Sequence, residues 1–187
     1  SVVYFALTYT QVINAVLVLS AIPAVTIVIS SLMNVDETNK FQLIGLLLSI
    51  IGISTIISNA DVEKILTLSF NKGDLWMLVC VITWSLYSTL LKKYKFKFSQ
   101  FSLIQLMVSV GILFLIPQYL YEQSIGLEVK FNKAFFFILF YVVIFPAIFA
   151  YYCWQKGIEI IGSNRATMFI QLMPLFSALM AIIIFKE

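Results

Sequence analysis

Residues 12–33 read "VINAVLVLSAIPAVTIVISSLM" and include no charged side chain. A helix needs about 20 apolar residues to cross the hydrocarbon core of a bilayer, so this stretch predicts a membrane-spanning helix. Comparable apolar runs follow at 41–59, 74–92, 100–121, 134–155 and 165–185, with a shorter stub at 1–10. Long unbroken runs disfavour a closed β-barrel, whose strands are short and alternate in hydropathy. The sequence therefore predicts an all-α membrane protein, a multi-pass helical bundle with about six complete spans.

The composition of the whole chain agrees with this fold class. Of the 187 residues, 61% are hydrophobic and 11% are charged, and the mean hydropathy is +1.01. Typical soluble domains contain roughly 45–50% apolar and about 25% charged residues. A water-soluble fold could not cover its surface with so few charges, so we expect the chain to lie in a lipid bilayer.

The residue types that the chain lacks exclude several chemistries. There is no histidine, which excludes histidine bases, histidine–zinc sites and Ser-His-Asp triads. The two cysteines, Cys80 and Cys153, lie inside apolar runs, where buried thiols are expected rather than a disulfide or a metal pair. The sequence contains neither a P-loop pattern nor a strongly basic face. We therefore expect no cofactor, no metal and no nucleic-acid partner.

Basic residues in a short connection predict the orientation of the chain. Lys92, Lys93, Lys95 and Lys97 lie close together in the sequence. Cytoplasmic loops of membrane proteins carry an excess of lysine and arginine. We therefore expect residues 93–99 to lie on the cytoplasmic side of the membrane. The membrane is expected to be the cell membrane, of the bacterial inner (plasma) membrane type.

Two stretches near opposite ends of the chain share one layout. "IPAVTIVISSLMNVDE" (22–37) and "MPLFSALMAIIIFKE" (173–187) each carry a proline and then an apolar run that ends in an acid. The offset that aligns the prolines is 174 − 23 = 151, and it also places Ser20 opposite Gln171. Four spans separate the two stretches, so they cross in opposite directions, as in inverted-repeat transporters. A chance match between two proline-containing helices is the alternative.

Four pieces of the chain carry a family resemblance: "ALTYTQVINAVLVLSAIPAV" (6–25), "FQLIGLLLSIIGI" (41–53), "GDLWMLVCVITWSLYSTLLKK" (73–93) and "AYYCWQKGIEIIGSNRATMFIQLMPLFSALMAIIIFKE" (150–187). Together they resemble the drug/metabolite transporter superfamily, and specifically its EamA-like branch. The resemblance implies ten helices in two inverted repeats of five. Residues 1–60 would be the C-terminal part of the first repeat, and residues 73–187 the second repeat without its last helix. Both ends of the chain are accordingly expected to be cuts through a longer protein.

Polar side chains within the spans are the candidates for a substrate site, because they are costly in lipid and usually face the bundle interior or a wet cavity. Prolines add to such a site, since Pro174 should free the carbonyl of Ile170 and Pro23 that of Leu19. The candidate substrate-binding residues are Gln171, Pro174, Thr167, Ser20, Pro23, Asn14, Trp84, Tyr87, Tyr152 and Arg165. We expect Gln171 to lie closest to substrate, because its amide needs partners away from bulk water. Helix packing, aromatic packing and membrane anchoring are the alternative roles.

These observations predict an integral membrane carrier that moves a small metabolite or drug-like molecule by alternating access. Two other functions stay open: an intramembrane enzyme acting on lipid or prenyl substrates, and an assembly subunit that transports nothing. The enzyme would need paired carboxylates or a histidine near the membrane surface, and all nine acids lie in connections or at span ends. The expected partners are a small-molecule substrate and the lipid bilayer. The oligomeric state is left open, with a homodimer as one option.

Overall fold

The long apolar runs of the sequence fold into helices. The structure, a computed structural model, describes residues 2–10, 12–58, 71–94, 98–124, 131–176 and 183. Its helices belong to two units: the first contains the described residues of 1–94 and 158–187, and the second those of 95–157.

The helices follow one another along the chain with short connections. In order, they are α1 Val2–Leu7, α2 Val12–Leu19, α3 Ile22–Leu32, α4 Lys40–Ser58, α5 Lys72–Lys93, α6 Gln100–Ser124, α7 Lys133–Val142, a π-helical segment Val143–Ala150, α8 Tyr151–Ile161, α9 Ser163–Met168 and a 3-10 helix Phe169–Leu172. The chain after the 3-10 helix is again α-helical over residues 173–176.

Helix α5 organises the first unit, because it packs against α1, α2, α3 and α9. Five of the seven residues that α5 buries recur at helical spacing, and three of these five are glycine or serine: Gly73, Met77, Val81, Ser85 and Ser88. Side chains three and four positions apart lie on one face of a helix. Small side chains on that face let neighbouring helices approach closely. α5 therefore forms the common surface on which these helices of the unit assemble.

Helix α3 is separated from α2 by a short interruption at Ser20 and Ala21. The Ala21 N–H donates to the carbonyl of Val18 at 3.1 Å, which is the tighter 3-10 type of bond. Pro23 lies in the first turn of α3, where its missing N–H is tolerated. The predicted span 12–33 is thus helical but broken, as expected for a helix with a proline in its middle.

Helices α3 and α9 run antiparallel. Ser30 near the end of α3 donates to the Asn164 side chain near the start of α9, at 2.6 Å. Gln171, beyond the end of α9, donates to the Ser20 carbonyl just before α3, at 2.7 Å. The segment that leads into the second proline-containing stretch thus runs opposite to α3. The stretch 173–187 itself is described only at residues 173–176 and 183, so the direction predicted for it stays a prediction.

The second unit contains α6, α7, the π-helical segment and most of α8. The rings of Phe101 and Tyr152 stack with centroids 5.0 Å apart and an interplanar angle of 18°. Pro146 lies inside the π-helical segment, where the wider hydrogen-bonding pattern accommodates a residue without an N–H. The large apolar side chains of this unit are mostly exposed, as in helices that face lipid.

Helices within the described residues confirm an all-α, multi-pass membrane fold. Four stretches are long and apolar enough to cross a bilayer: Asn14–Leu32, Lys72–Lys93, Gln100–Ser124 and Lys133–Ile161. They agree with the predicted spans 12–33, 74–92, 100–121 and 134–155. The predicted spans 41–59 and 165–185 extend outside the described residues, and their described parts are helical. The boundaries of the two repeats, 1–60 and 73–187, stay a prediction.

Candidate functional site

The interruption between α2 and α3 is where three parts of the first unit meet. The carbonyl of Ser20 accepts a hydrogen bond from Gln171 Nε2 at 2.7 Å. The carbonyl of Ile22 accepts one from Ser85 Oγ of α5 at 3.2 Å. Side chains from two other elements thus bind main-chain carbonyls at the break in the helix. Irregular backbone at membrane depth is tolerated where protein or a wet cavity satisfies it in this way.

The Gln171 amide has one satisfied and one unsatisfied end. Its Oε1 atom is buried and has no hydrogen-bond partner among the described residues. The orientation of the amide follows from chemistry, because two acceptor oxygens would repel each other at 2.7 Å and Nε2 must therefore face the Ser20 carbonyl. A buried unsatisfied acceptor costs about 1–3 kcal/mol. Gln171 thus holds an unused hydrogen-bond acceptor inside the predicted span 165–185.

The backbone around Pro174 corrects one expectation from the sequence. The Ile170 carbonyl is not free, because the N–H of Met173 donates to it as the 3-10 helix Phe169–Leu172 ends. Pro174 cannot supply the usual N–H, and tightening the preceding turn replaces it with a bond from one residue earlier. On the α3 side, the carbonyls of Ser20 and Ile22 accept hydrogen bonds from other elements. The release of the Leu19 carbonyl by Pro23 stays a prediction.

The structure places several predicted site residues close to this interruption. Pro23 is fully buried in the first turn of α3, and Ser20 is buried with its hydroxyl donating to the Leu17 carbonyl at 2.6 Å. Thr167 is fully buried, and its hydroxyl donates to the Ser163 carbonyl at 2.9 Å. Its side chain is therefore engaged by its own helix. Pro174 is partly buried, three residues beyond Gln171.

The aromatic candidates lie in both units. Trp84 and Tyr87 are partly buried neighbours on α5, with ring centroids 5.5 Å apart, beside the Ser85 that binds the interruption. Tyr152 belongs to the second unit, where its ring stacks on Phe101. Trp84 and Tyr87 therefore lie on the helix that contacts the interruption through Ser85.

Asn14 and Arg165 lie away from the interruption. Asn14 is buried at the start of α2 and donates to Asp74 Oδ2 at 3.4 Å. Arg165 is exposed in the last turn of α9. Asn14 thus belongs to a contact at one end of the unit, and Arg165 presents its charge at the surface of the described residues.

A cluster that we call the Asp36 clasp joins the end of α3 to the start of α9. The Asp36 carboxylate accepts hydrogen bonds from Ser163 N at 2.7 Å, Ser163 Oγ at 2.6 Å and Asn164 N at 3.2 Å. The Asn164 side chain accepts from Ser30 at 2.6 Å and donates to Thr38 at 3.4 Å. A carboxylate at a helix N-terminus is favoured both by the free N–H groups and by the helix dipole.

A second cluster, the Asp74 clasp, joins the start of α5 to the connection between α1 and α2. Asp74 accepts from the hydroxyl of Thr10 and from Asn14 Nδ2. It also accepts from Asn71 N at 2.9 Å, while its own N–H donates to Asn71 Oδ1 at 3.1 Å, forming a capping box. A Cβ on Gly73 would lie 2.6 Å from the Ala6 carbonyl oxygen, so only glycine fits this approach.

The sequence alone did not identify either clasp as a connection between distant segments. The pattern Asn71-x-x-Asp74 is a capping signal that points to a helix start. The sequence Gly162-Ser163-Asn164 is a similar signal, and Gly162 has a φ of 87°, which favours glycine. Neither pattern predicts which distant side chains form hydrogen bonds with these helix starts, because those side chains lie in other segments of the chain.

The fold and the interruption define the class of this chain: it is a multi-pass helical membrane protein with polar groups at a break inside a span. The model of the EamA-like transporter family matches residues 71–187, and the chain belongs to that family. The family is one of membrane transporters, and both curated relatives described below are named transporters.

Two curated relatives are similar over nearly the whole chain. The uncharacterized transporter YyaM of Bacillus subtilis (strain 168) is 23% identical over 178 residues, which cover 95% of this chain and 58% of the relative. An uncharacterized transporter of Archaeoglobus fulgidus is 28% identical over 184 residues, covering 98% of this chain and 62% of the relative. The chain thus spans about three fifths of the length of these relatives. No solved structure matches it at a significant level.

Proposed function

We propose that the chain is part of a carrier that moves a small metabolite or drug-like molecule across the cell membrane by alternating access. The observation that carries this proposal is the Gln171 amide. Its nitrogen donates to the carbonyl of Ser20, and its buried oxygen has no hydrogen-bond partner in the part of the chain that the structure describes. Transporters of the inverted-repeat type bind substrate near the midplane, where interrupted helices of the two halves meet.

The positions of Ser20 and Gln171 support a symmetric arrangement of two halves. The offset of 151 residues aligns Ser20 with Gln171, and these two aligned residues form a hydrogen bond with each other. Two equivalent residues touch each other only close to the axis that relates them. The contact therefore supports a pseudo-two-fold axis beside the interruption, with the substrate site on it and α3 and α9 related across it.

In this proposal, the Oε1 atom of Gln171 selects the chemistry of the substrate. One N–H of Nε2 donates to the Ser20 carbonyl, whereas Oε1 has no partner among the described residues. We assign recognition to Oε1, which only accepts hydrogen bonds. The substrate therefore offers an N–H or O–H group at this point. The rings of Trp84 and Tyr87 supply apolar surface on the neighbouring helix.

The experiment uses the full-length protein reconstituted in liposomes. Uptake of radiolabelled amino acids, nucleosides and amines is compared with uptake into protein-free liposomes, and each solute that is carried is then tested against its N- or O-methylated analogue. The proposal predicts carried solutes that lose at least about tenfold in rate on methylation of one donor, since tenfold is about 1.4 kcal/mol of lost interaction. Transport that is indifferent to the donor, or no transport of any solute in the panel, contradicts it.

A further inference from the structure

We propose that the Asp36 clasp is a latch that closes one end of the first unit and opens once in each transport cycle. This inference rests on the proposed carrier function. By the orientation predicted from the lysines of residues 92–97, the closed end is the cytoplasmic one. The latch consists of the Asp36 carboxylate and the first two residues of α9, Ser163 and Asn164.

The geometry of the latch joins segments that are far apart in the sequence. All three hydrogen bonds to Asp36 come from residues 127 or 128 positions away. Ser163 and Asn164 are fully or almost fully buried, with exposed fractions of 0% and 2%. As long as these bonds hold, the start of α9 cannot separate from the end of α3.

The bonds of the latch are of a kind that can open reversibly. Asp36 is only partly buried, so water can reach the carboxylate as the donors leave. Exchanging hydrogen bonds within a protein for hydrogen bonds to water has a small net cost. The Asp74 clasp differs in this respect, because Asp74 is 2% exposed and also caps its own helix. Of the two clasps, the one around Asp36 is therefore the one suited to opening.

Gly162 permits the close contact on which the latch depends. Its φ of 87° is a conformation that other residues rarely adopt. A Cβ at this position would lie 3.0 Å from both carboxylate oxygens of Asp36. Glycine thus leaves the space in which the carboxylate reaches the N–H groups of α9.

The sequence makes the latch specific to one end. The offset of 151 places Val12 and Ile13 opposite Ser163 and Asn164, and Glu187 opposite Asp36. Valine and isoleucine have no side-chain donor, so the Ser163 and Asn164 side chains of the latch have no donor counterpart at these two positions.

The test measures access to Thr167, which is fully buried one turn beyond Asn164. A cysteine is placed at Thr167 in a full-length protein in which every native cysteine, Cys80 and Cys153 included, is replaced by alanine. Inside-out membrane vesicles are treated with a membrane-impermeant maleimide, and the labelling rate is measured. We expect Asp36→Ala to raise this rate at least tenfold. The matched control is Glu37→Gln, which removes the charge of an exposed neighbouring acid and should change the rate less than twofold.

Ser163→Ala removes the hydroxyl donor but keeps both N–H donors, so it should raise the rate about threefold. Folding of the purified variants is checked by size-exclusion chromatography. If Asp36→Ala does not fold, the labelling rate of Ser163→Ala tests the latch in its place. An unchanged labelling rate in a folded Asp36→Ala protein, or in Ser163→Ala if the former does not fold, overturns the latch. If labelling is unchanged while transport is normal, the carrier function stands without the latch. Absence of transport by the unsubstituted protein would overturn the carrier instead.

Discussion

Removing the buried Asp74 carboxylate should destabilise the first unit more than removing an exposed acid. Asp74 is 2% exposed and accepts from Thr10, Asn14 and the N–H of Asn71. Asp74→Ala takes away this acceptor and half of the capping box at the start of α5. α1 and α2 both pack against α5, and Thr10 and Asn14 contact Asp74 at the start of that helix.

The size of the effect follows from the groups that lose their partner. Loss of a helix cap costs about 1 kcal/mol. Each buried donor left without an acceptor costs about 1–3 kcal/mol, and the lower end applies here because Thr10 and Asn14 have further interactions. The sum is about 3 kcal/mol. For a chain of this size, 1 kcal/mol corresponds to about 2–4 °C in Tm, so the expected decrease is about 6–12 °C.

The assay is thermal unfolding of the detergent-purified protein, followed by loss of the monodisperse peak in size-exclusion chromatography. Asp74→Asn keeps one acceptor oxygen and the shape of the side chain, so about half of the decrease is expected. Glu37→Ala, at an exposed acid, serves as the control and should leave Tm within about 2 °C, since surface changes rarely exceed about 0.5 kcal/mol. A decrease below about 2 °C for Asp74→Ala would refute a stabilising role of the Asp74 clasp.

Two further predictions concern the glycines and the orientation. Gly73→Ala should lower Tm by several degrees, because the added Cβ would lie 2.6 Å from a backbone oxygen. In the control Gly45→Ala, the added Cβ meets nothing within 4 Å, so Tm should be unchanged or slightly raised. Equal changes in Tm for the two variants would contradict the close approach of the backbone at Gly73. A cysteine at the exposed Ser99 should be labelled by an impermeant reagent in inside-out vesicles but not in intact cells, and labelling from outside would reverse the predicted orientation.

The spans could be predicted from the sequence because lipid imposes one rule on all of them. Each needs a long apolar run, and four such runs coincide with helices of the described residues. The alignment of Ser20 with Gln171 could also be predicted from the sequence. Each of the two residues is followed three positions later by one of the prolines that define the offset. The structure adds that the two positions touch, through a side chain on one and a main-chain carbonyl on the other.

The finer features could not be read from the sequence because they depend on packing between distant segments. The 3-10 helix before Pro174 supplies a partner to the Ile170 carbonyl, where a regular helix would have left it free. From the sequence, Asp36 could be recognised only as an acid that follows an apolar run, without its hydrogen-bond partners. Its donors, Ser163 and Asn164, lie 127 and 128 positions away, so the clasp exists only once α3 and α9 have packed.

The central claim is that Gln171 holds substrate through its free amide oxygen, and the most direct test is the transport rate of Gln171→Leu. The substitution keeps a side chain of similar length but removes Oε1 and the donor to Ser20. The matched control is Gln118→Leu, at an exposed glutamine whose amide donates to Glu122 one turn away. At equal abundance in the membrane, we expect transport to be reduced at least about tenfold by Gln171→Leu and unchanged by Gln118→Leu. Normal transport by Gln171→Leu would contradict the claim and assign the amide to helix packing.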